Sequence, residues 1–131
     1  MKSAWLLQEM CSELGIVDRT VFADNGLLTV GGVELCVMEV EDNGSDAVVV
    51  QTHYGDIPPG DLKDLMCFLL VESFLNTLLT GRYYSINPES GTVVAVRKIP
   101  LGYGVNGTMV VDIIQQEARA ATSIWQAFAQ H

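Results

Sequence analysis

The chain is poor in positive charge: seven Lys and Arg stand against sixteen Asp and Glu, a formal net charge of -9 over 131 residues. With no basic stripe to meet phosphates, neither nucleic acid nor an anionic membrane is expected as a partner, and a basic or apolar polypeptide fits better. Cysteine is scarce as well. Cys11, Cys36 and Cys67 are odd in number, have no C-x-x-C spacing and fall on apolar positions, which reads as buried reduced thiols in a cytosol and not as a disulfide framework. With two His in the chain and no ligand spacing linking them to the cysteines, no metal and no cofactor is expected. Long apolar runs are missing too, the longest falling far short of the ~20 residues a membrane span needs. The start, MKSAWLLQEM, has its apolar run broken at Gln8 and Glu9 and does not read as a signal peptide. No repeat, low-complexity tract or linker interrupts the chain.

Apolar residues are plentiful, 49% against 18% charged. That excludes disorder and suits one domain over residues 1–131 with a sizeable core. Ser3 is placed to cap a first helix ending at Gly15, with Leu7, Met10, Cys11 and Leu14 inward and Trp5 outside that stripe. From Val21 to His53 the pattern turns short and β-like, punctuated by Asp24-Asn25-Gly26, Gly31-Gly32 and Asp42-Asn43-Gly44, which predicts an antiparallel meander. In its long strand, Val33, Leu35 and Val37 project to one side and Cys36, Met38 and Val40 to the other. Both faces are apolar, so the second face is either covered or a binding surface.

Pro58-Pro59-Gly60 ends the meander and Asp61 caps a helix over DLKDLMCFLLVESFLNTLLT, closed by Gly81. Cys67, Phe68, Val71, Phe74, Leu75, Leu78 and Leu79 form one continuous stripe of that helix, expected to face the chain's own sheet. Leu62, Leu65, Met66, Leu69 and Leu70 form a second patch on the other side, expected to face a second copy of the chain. RYYSI and GTVVAVRKI then make a hairpin around Asn87-Pro-Glu-Ser-Gly91. Asn106 to Thr108 opens a last helix with Val110, Ile113, Ile114, Ala118, Ala121, Ile124, Trp125 and Phe128 on one face. Glu117 intrudes on that face, and is expected to snorkel at an edge or meet Arg97 or Lys98. The order α-β-β-β-α-β-β-α predicts an α+β fold, a two-layer sandwich with an antiparallel sheet.

Motifs for chemistry fall short. Gly102-Tyr-Gly104-Val-Asn-Gly107 matches G-x-G-x-x-G, but a dinucleotide fold needs a further parallel strand and an acidic residue about 20 positions on, and nucleotide binding is not expected here. Glu39-Val-Glu41-Asp-Asn43-Gly44 resembles half a calcium loop, yet Val50 stands where the bidentate Glu belongs. No spacing links His53 to a cysteine nucleophile. No active site assembles, and the chain is not expected to be an enzyme.

Leu69-Leu70 with Phe74-Leu75-Asn76, then Gly81 and Tyr84-Ser-Ile86-Asn-Pro88-Glu-Ser-Gly91-Thr-Val-Val94, resembles the helix-to-hairpin segment of class I type III secretion chaperones, the Tir-chaperone-like family. Asp24-Asn25-Gly26-Leu-Leu-Thr-Val30 is also similar, whereas Tyr83-Tyr84 departs from the small or aliphatic residues common there. The resemblance implies a cytoplasmic bacterial homodimer that binds the non-globular N-terminal segment of an effector and keeps it competent for export. It places Leu62, Leu65, Met66, Leu69 and Leu70 at the two-fold, and Trp5, Met38 and Val40 against the effector. Two other classes fit the same composition: a small ligand-binding or thiol-dependent enzyme domain using Cys36 or His53, and a structural adaptor subunit.

Overall fold

The computed structural model describes residues 4–15, 22, 25–42, 44–57, 62–102 and 104–129. The elements run α1 (Ala4–Leu14), β1 (Leu27–Val30), β2 (Val33–Asp42), β3 (Ser45–Asp56), α2 (Leu62–Leu79), β4 (Tyr83–Asn87), β5 (Thr92–Pro100) and α3 (Gly107–Ala129). This is the α+β order expected. The five strands form one antiparallel open sheet in the order β1-β2-β3-β5-β4. The expected caps Ser3 and Asp61 and the Pro58-Pro59-Gly60 break lie outside the described residues.

Local chemistry accounts for most boundaries. Gly15 and Gly81 take φ of 69° and 76° after their helices, the left-handed geometry that lets the next N–H groups turn back onto orphan carbonyls. In the β4–β5 hairpin, the Asn87 carboxamide accepts the Glu89 N–H at 3.0 Å and its carbonyl accepts the Gly91 N–H at 2.8 Å. Asn106 opens α3 by accepting the Met109 N–H on Oδ1 at 2.9 Å. The first strand is shorter than the pattern from Val21 suggested. Gly26 accepts the Val37 N–H at 2.8 Å and donates to the Phe22 carbonyl, and a Cβ there would come within 2.1 Å of the Val37 oxygen. The chain therefore turns into the sheet only at Leu27, and Phe22 joins the core.

Side chains alternate across the strands, so one face of the sheet takes all three helices. Leu35, Val37, Val48, Val50 and Ile99 pack beneath α1 and the first half of α3, through Leu6, Met10, Val110 and Ile114. Tyr54, Val93 and Ala95 pack beneath α2 and the second half of α3, through Leu65, Leu69 and Ala121. The helix-free face carries Leu27, Cys36, Gln51, Val96 and Tyr83 in one cross-strand row, with Met38, Val49 and Lys98 in the next. Among the described residues, no helix is long and apolar enough to cross a membrane.

Candidate functional site

Helix α2 meets the sheet with the face opposite to the one its apolar stripe suggested. Leu65 and Leu69 are its buried residues, while Phe74, Leu78 and Leu79 are 70%, 80% and 84% exposed, and Leu70, Val71 and Leu75 are exposed beside them. Of the stripe expected on the sheet, Phe68 alone is half-buried, its ring 5.6 Å from that of Phe128. The expected dimer patch is divided likewise. Leu65 and Leu69 are held by the chain's own core and are open to no partner, whereas Leu62, Met66 and Leu70 remain exposed.

The inversion has a polar cause. Glu117, almost fully buried on α3, pairs with Arg82 at the start of the β4 segment, and Arg97 of β5 lies 3.4 Å from the same carboxylate. Arg82 Nε donates to both Glu117 oxygens, at 2.8 and 3.1 Å, and Arg82 Nη1 donates to Asn76 Oδ1 at 3.2 Å. Ser73 Oγ accepts the Tyr84 N–H at 3.3 Å. The sheet below α2 thus presents buried donors, and the helix face that answers them must carry Asn76 and Ser73 besides Leu65 and Leu69. The richer apolar stripe is left to face outward. Glu117 therefore does meet Arg97, but in the interior and not at an edge, and its main partner is Arg82. Hydrogen bonding to Glu117 raises the Arg82 pKa further above its already high value. Arg82 had no signal in hydrophobic patterning, although a lone Glu on an apolar face does announce a buried cation somewhere.

Among the described residues, the helix-free face of the sheet is another apolar surface that no element covers. Met38 is 37% exposed, Val40, Cys36 and Val49 are half-buried, and Leu27 and Tyr83 stand exposed at the ends of their row. Val94 and Val96 on this face are buried, being flanked across the strands by His53 and Ser85 and by Gln51 and Tyr83. Burial raises the Cys36 pKa, which opposes thiolate formation. The thiol donates to the Asn25 carbonyl at 3.6 Å, its cross-strand neighbours are Leu27 and Gln51, and His53 pairs instead with Val94.

Trp5 stands apart from Met38 and Val40. It is 48% exposed and lines a cleft of about 410 Å³ in the helical layer with Gln8, Glu9, Ser12, Glu13 and Thr108. Glu9 accepts the Gly107 N–H at 2.5 Å, and Glu13 accepts the Thr108 hydroxyl at 3.3 Å. The N-terminus of α3 is thus occupied by carboxylates of α1, so the last glycine of the G-x-G-x-x-G run offers no free donor to a phosphate. A segment touching Trp5 and Met38 together would have to wrap around the sheet. Among the described residues, no three His, Cys, Asp or Glu side chains converge in a way that could hold a metal ion.

Among the described residues the geometry offers apolar surfaces on α2 and on the sheet, and an acidic aromatic cleft around Trp5. No protein-family model matches the chain, and no curated protein matches it either.

Proposed function

We propose that this protein is a class I type III secretion chaperone: a cytoplasmic bacterial homodimer that holds the non-globular N-terminal segment of an effector extended and export-competent. The observation that carries the reading is the size of the unpartnered apolar surface in so small a protein. Six large side chains on the outer face of α2, from Leu70 to Leu79, are exposed, and burying each is worth about 1.5–3 kcal/mol. Isolated exposed leucines are ordinary, whereas a contiguous helical ridge marks an interface. A second copy of the chain is the occupant proposed for it, with Leu70, Phe74, Leu75 and Leu78 joining Leu62 and Met66 at the two-fold.

The helix-free sheet face is assigned to the client. An extended segment needs alternate apolar pockets more than it needs chemistry, and Leu27, Met38, Val40 and Val49 present them. Trp5 provides a separate contact in the helical layer, reached by a client that wraps around the protomer. The chain does no covalent work in this role. A net charge of -9 favours a basic client and keeps an apolar-patched dimer soluble.

The test is a binding measurement with the N-terminal segment of an effector encoded beside this gene. Met38→Asp is expected to abolish binding and Trp5→Ala to weaken it, both variants remaining folded and self-associated. Unchanged affinity in Met38→Asp removes the sheet face from the client site. Co-purification of the native protein with fixed assembly subunits in place of an effector favours an adaptor.

A further inference from the structure

At the end of the sheet remote from the β2–β3 hairpin, those two strands part. Their ladder runs from Asp42 opposite Ser45 to Leu35 opposite Thr52, whereas β3 stays paired with β5 as far as Asp56 opposite Thr92, passing a bulge between His53 and Gly55. In the opening lies a cleft of about 490 Å³ whose lining includes Glu34, His53, Tyr54, Asp56 and Trp125. Trp125 is fixed as one wall. A Cβ at Gly55 would come within 2.8 Å of the indole Nε1, and the ring meets Tyr54 edge-on with centroids 6.4 Å apart.

The cleft therefore joins a rigid indole to two carboxylates, and no Lys or Arg is among the described residues that line it. Glu34 has no ion-pair partner among the described residues. Asp56 accepts a hydrogen bond from the Thr92 hydroxyl at 3.3 Å, which leaves its other oxygen free for a donor. An anionic ligand would meet like charge here, and a neutral apolar one would use the indole alone.

We propose that this cleft receives a guanidinium group, that of an arginine in a polypeptide segment laid over the parted end of the sheet. A guanidinium is planar and weakly hydrated; it stacks on an indole and donates to carboxylates from its edge. The proposal deepens the client reading by naming one side chain the client carries. It rests on that reading for the source of the arginine, not for the binding of the cation.

The probe is N-acetyl-arginine amide, titrated into nitrogen-labelled full-length protein while the Trp125 indole N–H signal is followed, with Trp5→Phe assigning the two tryptophans. A saturable Trp125 shift is expected, absent with the neutral isostere N-acetyl-citrulline amide and weaker with the lysine analogue. Glu34→Gln and Asp56→Asn, both at exposed positions, should each lower affinity by about twofold to fivefold, as expected for partly solvated ion pairs. Equal shifts with citrulline, tighter binding of lysine, no saturable shift, or unaltered affinity in the double variant overturns the proposal. A monomeric or clientless protein that still binds the arginine probe removes the chaperone reading and leaves the cleft. A client-holding dimer that ignores the probe does the reverse.

Discussion

Glu117 is the residue on which the interior turns. One carboxylate serves two guanidinium groups, and Asn76 satisfies a further Arg82 donor from the helix above. Such a cluster is weak evidence for net stability, since well-packed apolar residues often do as well, but removing one partner strands the others. Glu117→Gln keeps the shape, leaves the buried Arg82 and the half-buried Arg97 without their counter-charge, and should destabilise the protomer by about 3–5 kcal/mol. Chemical denaturation measures it, and a loss within error of zero would mean that the cluster is solvated. The tyrosines nearby give a pH signature. Burial, aided by the hydrogen bond to Tyr84, pushes the Tyr54 hydroxyl far above its ordinary 10.0, and burial raises Tyr84 too. The fold holds both as neutral phenols. Their contribution to stability is therefore complete below that ordinary value and lost as pH rises toward the folded-state values. Tyrosinate absorbance should show Tyr54 ionising only as the fold opens at alkaline pH, and Tyr84 ionising above the ordinary tyrosine range.

At the scale of the element, α2 shows how a correct element can be given the wrong face. Leu65→Ala should cost the protomer about 2–5 kcal/mol, the range for deleting a buried leucine, while Leu78→Ala should change protomer stability by less than about 0.5 kcal/mol, as exposed positions do. Leu69→Glu places a charge in the core and should unfold the chain, not merely separate a dimer; thermal melts of the three variants distinguish these outcomes. The existence, type and order of the elements were legible in the sequence, because periodicity, Gly81, Gly91 and Asn106 all agreed. The facing of α2 was not legible. Hydrophobic periodicity assumes that a helix buries its most apolar side, and here the half-buried polar residues Ser73 and Asn76 are turned inward because Arg82 and Tyr84 need them. Trp5 and Met38 emerged exposed and Val40 half-buried, yet their separation across the sheet depended on a layering that no local pattern encodes.

For the whole molecule, the three helices share one side of the sheet, leaving the helix-free sheet face and the outer ridge of α2 as separate apolar surfaces. The occupants proposed for them differ, a client on the first and a second copy of the chain on the second. Association must outweigh about 4–15 kcal/mol of lost translational and rotational freedom, and the six ridge side chains from Leu70 to Leu79 are of the right order to do so. Sedimentation or light scattering at micromolar concentration is the most direct test of this division. The native chain should have about twice the 14.3 kDa mass of the protomer, and Leu78→Glu should be a folded monomer at the protomer mass. A native protein at 14.3 kDa, or a Leu78→Glu variant that remains dimeric, would contradict it.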